Sequence, residues 1–214
     1  ALIMQRFLYR LLRSVCLPGL LALLLLGPAQ ARAGTLLVLG DSISAAYGMS
    51  LEEGWVALLA RQLAQREPPV AVVNASISGE TTGGALRRLP NLLEAHSPSV
   101  VLIELGGNDG LRGFPVTRLK DNLTALANQS SAAGATVVIL PMEIPPNYGA
   151  RYTSSFRDAY PAVAEATEST LAPFILKDVA TKPGLMQPDG IHPTREAQPL
   201  LLEAVLPVIE GALP

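Results

Sequence analysis

From Gly34 onward the chain alternates short apolar runs rich in β-branched residues with longer stretches of helical spacing. That alternation limits the folds open to it. Thr35–Leu39, Val70–Asn74, Val100–Leu105 and Thr136–Leu140 read as buried strands, with Leu171–Phe174 a weaker fifth. Between them, "WVALLARQLAQR" (Trp55–Arg66) carries an apolar stripe at Trp55, Leu58, Leu59 and Leu63, and Val116, Leu119, Leu123 and Leu126 repeat the helical spacing. Strands alternating with helices imply right-handed βαβ units. The expected fold is α/β: a three-layer α/β/α sandwich around a mostly parallel sheet of about five strands. The mature part has no repeat, low-complexity tract or flexible linker, so residues 34–214 are expected to form one domain. Its one long irregular segment, "PMEIPPNYGARY" (Pro141–Tyr152), is expected to arch over something.

The first 33 residues are set apart from this pattern. Arg6, Arg10 and Arg13 form a basic start, Leu17–Leu26 is almost wholly apolar, and "ARA" (Ala31–Ala33) is a small-x-small cleavage pattern before Gly34. Residues 1–33 therefore read as a cleavable export signal, and the mature protein as periplasmic or secreted. A membrane anchor fits less well, because the apolar stretch is short of the ~20 residues a spanning helix needs and Pro18 and Gly19 interrupt it. Ala1 to Ile3 read as lying upstream of a start at Met4. Of sixteen basic residues the signal holds Arg6, Arg10, Arg13 and Arg32, which leaves twelve against eighteen acids, a net charge of −6. Such a surface argues against nucleic acid and against anionic lipid as partners. Cys16, the one cysteine, falls inside the signal and before its apolar centre, so the mature protein has no disulfide, thiolate nucleophile or cysteine–zinc site.

In parallel α/β sheets ligands bind beyond the carboxyl ends of the strands. Four loops there carry chemistry. In "GDS", Gly40 permits a tight turn after the first strand, and Ser42 can present its hydroxyl and its own N–H to a cleft. In "DGIHP", Asp189 precedes His192 by three residues; a serine needs a base that titrates near neutral pH, and that base needs a carboxylate to fix its tautomer. "NASISGETTGG" offers a backbone N–H at Gly79, and "IELGGNDGLRG" offers the side-chain amide of Asn108. With the Ser42 N–H these would receive the charge of a tetrahedral oxyanion. Each loop alone has an ordinary structural reading as a cap, a turn or loop punctuation. Together they supply nucleophile, base, orienting acid and oxyanion donors. The other histidine, His96, lies between a helix and Pro98 without a comparable acid and reads as solvated.

These four blocks, in order and across nearly the whole mature chain, resemble the SGNH hydrolases, also called GDSL esterases/lipases: "GDS" at Ser42, the Gly79 loop, "GGND" at Gly106–Asp109 and "DGIH" at Asp189–His192. The stretches "VVNASISG", "ELGGNDGLRGF", "PPNYG" and "DGIHP" are most similar to the periplasmic acyl-CoA thioesterase/lysophospholipase/arylesterase group of Gram-negative bacteria. The resemblance implies a flavodoxin-like sandwich, Ser42 as nucleophile, His192 as base, Asp189 as its partner, and Ser42, Gly79 and Asn108 as oxyanion donors. Ile43 stands where the family name has leucine. Asp41 and Asp109 are assigned structural roles, because an acid facing the nucleophile would oppose an oxyanion unless turned away, and Glu104 is assigned a supporting one.

The expected reaction is hydrolysis of carboxylic esters and thioesters through an acyl-serine, with no metal and no cofactor. Small acyl esters or thioesters, lysophospholipids among them, are the expected partners of a monomer with no membrane segment in its mature part. Leu111, Phe114 and the Pro141–Tyr152 segment are candidates for an apolar acyl groove. An α/β-hydrolase fits less well, since "GDSIS" lacks the second glycine of a G-x-S-x-G elbow. A metallohydrolase using Asp41, Asp189 and His192 is poorly served by two histidines. A glycan O-deacetylase on the same fold and a non-catalytic acyl-binding module remain open at the level of sequence.

Overall fold

The computed structural model describes residues 34–214; the expected export signal, residues 1–33, lies outside the described residues. Among the described residues five strands form one sheet: β1 (Thr35–Gly40), β2 (Ala71–Asn74), β3 (Val100–Glu104), β4 (Thr136–Leu140) and β5 (Thr170–Leu171). Their order is β2-β1-β3-β4-β5, and every pairing is parallel. Strands β1, β3 and β4 are buried almost end to end, which is why they read as continuous apolar runs without alternation.

Helices cover both faces of the sheet, giving the expected three layers. Helix α1 (Trp55–Leu63) packs against α6 (Gln198–Ala212), while α2 (Thr82–His96), α4 (Val116–Ala132) and α5 (Ala150–Ala166) pack in a row; α3 (Gly107–Leu111) is a short turn after β3. Helix α1 buries Trp55, Val56, Leu59 and Leu63, and Leu58, half-buried, packs against the same core as its place in the stripe predicts. Helix α4 buries Leu119, Leu123 and Leu126 as its spacing predicts.

The fifth strand differs from expectation. It occupies Thr170–Leu171, with Val138 opposite Thr170 and Ile139 opposite Leu171, and not Leu171–Phe174. Pro173 has no N–H to give, so the ladder cannot continue through it. After this edge strand the chain runs without a helix to Thr194, held by turns and by one antiparallel bridge between Met186 and Pro193, and a 3-10 turn at Arg195–Ala197 leads into α6.

The strand order reverses between β1 and β3, and such a reversal opens a crevice at the carboxyl ends of the two strands. Gly40 lies level with Glu104 there, so the loops carrying Ser42 and Asn108 leave the sheet side by side. The turn into α3 depends on Gly106. Its φ of +115° is left-handed, and a Cβ at this position would collide with the hydroxyl of Tyr160, which is fully buried and donates to the Leu105 carbonyl at 3.0 Å. Gly106→Ala is therefore expected to lower the stability by about 2 kcal/mol or more, measured as a drop in the urea midpoint at unchanged slope.

Candidate active site

The loop that carries Ser42 begins at Gly40, where a Cβ would lie 2.8 Å from Glu104 Oε2 and 2.7 Å from the Ser44 Cβ. Only glycine lets the Glu104 carboxyl come so close. Glu104 Oε2 accepts from Ser44 Oγ at 2.7 Å and from the Asp41 N–H at 3.3 Å, which fastens the loop after β1 to the end of β3. Burial, with the neighbouring Asp41 charge second, pushes the Glu104 carboxyl well above its ordinary range.

Asp41 is buried as well, and both of its oxygens are engaged: Oδ1 accepts the Ile43 N–H at 3.1 Å and Oδ2 accepts Asn108 Nδ2 at 3.1 Å. Burial raises its pKa to about 6, against the lowering effects of the Ile43 N–H, His192 and Asn108. One hydrogen of the Asn108 amide is thus spoken for, and the other is free to face the crevice. Asp109, next along α3, turns the opposite way. It accepts from the Thr82 N–H at 2.9 Å and the Thr82 hydroxyl at 2.6 Å, which ties α3 to the start of α2.

The turn from the C-terminal segment meets this loop. Asp189 Oδ1 accepts the N–H groups of Ile191 (2.9 Å) and His192 (3.0 Å), and Oδ2 lies 2.7 Å from His192 Nδ1. The contact with the imidazole, followed by these two backbone donors, lowers the Asp189 pKa to about 2, so at neutral pH it is a carboxylate that can only accept. Nδ1 must then carry the proton. In the neutral ring Nε2 is left as an acceptor, and it lies 2.8 Å from Ser42 Oγ. Ser42 itself is 8% exposed, at the floor of a cleft.

Gly79 is held near this group by indirect links. Ile77, in the same loop, donates its N–H to the Gly40 carbonyl at 3.1 Å, and Arg112 Nη2, at the end of α3, donates to the Gly79 carbonyl at 3.0 Å. Gly79 has a φ of +79° and does not line the cleft. Ser42, Asn108 and His192 do, around a volume of about 610 Å³. Its walls are mostly apolar, with Glu143 and Thr181 among the polar exceptions. Leu111 contributes as expected, and so does the first half of the Pro141–Tyr152 segment through Met142, Ile144, Pro145 and Pro146.

Two expectations are corrected here. Phe114 does not line the cleft; its ring lies under the Arg118 guanidinium, 4.4 Å from the ring centroid, and its carbonyl accepts from Tyr152 Oη at 2.6 Å. The second half of the arch also leaves the cleft, since helix α5 begins at Ala150 and Tyr148–Tyr152 face a separate groove with Pro115 and Thr117. Residues missed by the sequence reading supply the opposite wall: Phe174, Leu176, Ala180 and Met186, from the helix-free segment after β5. They have no periodicity to betray them. The usable signal was the length of that segment between the last strand and the "DGIHP" turn.

A serine hydroxyl, an imidazole and a carboxylate in hydrogen-bonded series beside an apolar cleft define a serine-type hydrolase of acyl compounds. The model of the GDSL-like Lipase/Acylhydrolase family matches residues 38–199, and the chain belongs to that family. It is 51% identical to Esterase TesA of Pseudomonas aeruginosa over 202 residues, covering 94% of this chain and 100% of that protein. It is 45% identical to Thioesterase 1/protease 1/lysophospholipase L1 of Escherichia coli over 183 residues, 86% of each chain. Among solved structures it is similar to the psychrotrophic esterase EstA of a Pseudoalteromonas species inhibited by monoethylphosphonate, with a TM-score of 0.80, 49% identity, and coverage of 83% of this chain and 97% of that one. The chain is a carboxylic ester hydrolase.

The Asp41 carboxylate has a consequence for stability. Its pKa is raised on folding, from 3.8 to about 6, so its contribution to stability is full below pH 3.8 and is lost as the pH rises through about 6. The melting temperature of the wild type is expected to fall as the pH rises from about 4 to about 8, and Asp41→Asn is expected to lose that part of the pH dependence. The same substitution should reduce ester hydrolysis by about tenfold or more, because one amide oxygen cannot serve both Ile43 and Asn108. Thermal unfolding across pH, with turnover of a p-nitrophenyl ester, checks both.

Proposed function

We propose that Ser42, His192 and Asp189 carry out acyl transfer to water. Ser42 Oγ attacks the ester or thioester carbonyl carbon as its proton passes to His192 Nε2, and Asp189 holds the imidazolium by Nδ1. The Ser42 N–H and the free hydrogen of the Asn108 amide, both on the cleft, receive the oxyanion, and the Gly79 N–H of the adjoining loop is the proposed third donor. As the tetrahedral intermediate collapses, the C–O or C–S bond breaks and His192 returns the proton to the leaving alcohol or thiol. A water molecule, deprotonated by the same imidazole, repeats the attack on the acyl-serine and releases the acid. The observation that carries this reading is the 2.8 Å contact between Ser42 Oγ and His192 Nε2, continued by the 2.7 Å contact to Asp189.

The apolar walls of the cleft support fatty-acyl and aromatic groups as the bound part of the substrate. The names of the relatives support esters, thioesters and lysophospholipids. The proposed site draws on a single chain and needs neither cofactor nor metal, so a monomer suffices. Asp41 spends its oxygens on Ile43 and Asn108 and does not join Asp189 and His192 as a metal ligand. Among the described residues no helix is long and apolar enough to cross a membrane. The basic start, apolar run and Ala31–Ala33 pattern of the first 33 residues support export with cleavage before Gly34. Outside the cytosol acyl-CoA is scarce, so lipid-derived or aryl esters are the proposed working substrates, with thioester cleavage a capability of the same site.

Ser42→Ala is expected to cut turnover of a p-nitrophenyl ester by about 10⁴-fold or more while folding is retained, and an alkyl phosphonate should label Ser42 alone. An active alanine variant, or labelling at another residue, would overturn the assignment. A chain-length series of esters and thioesters with a lysophospholipid arm then fixes the substrate class. Inactivity on all three would redirect the reading to glycan O-deacetylation.

A further inference from the structure

The acid that holds His192 is a weak holder by itself. The Asp189 side chain is 38% exposed, and ion pairs open to water hold their partners weakly. A base that must stay within hydrogen-bond reach of Ser42 needs a firmer restraint, and the nucleophile loop supplies one.

The Tyr47 ring lies over the imidazole of His192 with the ring centroids 4.2 Å apart and the planes inclined by 29°. Its backbone is bonded in both directions. The Tyr47 N–H donates to the Ser42 carbonyl at 3.1 Å, and the Tyr47 carbonyl accepts from Gln187 Nε2 at 2.8 Å. Gln187 gives its other amide hydrogen to the Pro193 carbonyl at 3.0 Å and its own N–H to the His192 carbonyl at 2.7 Å. Tyr47 is thus tied to the serine on one side and, through Gln187, to both residues of the "His-Pro" step on the other.

We infer that Tyr47 is a positioning residue for His192, with Gln187 as its fastener. The inference rests on the reading of His192 as the base. The stacked ring blocks the imidazole from swinging out of line with Ser42. Its π face also attracts the imidazolium that forms as Ser42 loses its proton more than the neutral ring it replaces. Both effects act on the chemical step and not on substrate binding. Tyr47 is half-exposed and is not among the residues lining the cleft, so the effect should appear in kcat with KM unchanged. The contact uses the ring and not the hydroxyl.

The experiment compares Tyr47→Leu, Tyr47→Phe, Gln187→Met and His192→Ala in the full mature protein, on one p-nitrophenyl ester. Tyr47→Leu is expected to lower kcat by about fivefold to tenfold with KM within about twofold, while Tyr47→Phe restores most of kcat. Gln187→Met, which keeps the length but loses both amide donors, should fall with the leucine variant. The chain has only two histidines, so the ring protons of His192 can be assigned by their loss in His192→Ala. They should show an upfield ring-current shift in the wild type and the phenylalanine variant that is absent in the leucine variant. Wild-type kcat in Tyr47→Leu, equal losses in the leucine and phenylalanine variants, or a loss confined to KM would overturn the positioning role. Wild-type kcat in Gln187→Met would remove Gln187 from it. An active His192→Ala would instead overturn the assignment of the base, so the two failures are distinguishable.

Discussion

Two carboxyl groups are buried next to each other beneath the Ser42 loop, and their hydrogen bonds fix how the two central strands present their ends. Glu104 reaches from β3 to the Asp41 N–H and the Ser44 hydroxyl after β1, and Asp41 reaches back to the Asn108 amide after β3. Carboxyl groups buried this deeply are costly, and both have their pKa values raised by it. The cost is offset by geometry: the loops carrying Ser42 and Asn108 are locked to one another at the point where the strand order reverses. Gly40 follows from the same constraint, since a side chain there would occupy the space of the Glu104 carboxyl.

The remaining parts of the site are hung on this pair of loops. Asp109 anchors α3 to α2, Arg112 holds the Gly79 carbonyl, and Tyr160 fixes the Leu105 carbonyl below. The arch after β4 is tied to the loop after β3 by two tyrosine hydroxyls, Tyr148 to the Leu111 carbonyl at 2.9 Å and Tyr152 to the Phe114 carbonyl at 2.6 Å. The apolar wall formed by Met142 and Ile144 is therefore set by contacts that lie outside the cleft. His192 arrives last in the chain, on a turn without helix or strand.

Much of this was legible in the sequence. Strands β1, β3 and β4 are buried on both faces, so each is a plain apolar run with small residues after it, and such runs are hard to mistake. The edges were less clear. Strand β5 is two exposed residues long, and nothing in an exposed pair distinguishes strand from loop. In α1 the apolar stripe did not include Val56, because neighbouring apolar residues on one helix differ in burial only by which face meets the sheet.

The sequence by itself determined the chemical inventory: a serine after the first strand, one histidine with an acid three residues before it, and glycines where the turns are tight. Local rules sufficed for these, because turn geometry and the Asp189–His192 spacing involve a few consecutive residues. Tertiary structure alone decided which of these groups meet. Ser42 and His192 are 150 residues apart, Gln187 and Tyr47 are 140 apart, and the Asp41–Asn108 bond spans 67. Contacts of that separation are set by strand order and packing, which no local window records. The same reason hid the wall formed by Phe174, Leu176 and Met186, whose residues become a surface only once the segment after β5 folds back across the ends of the strands.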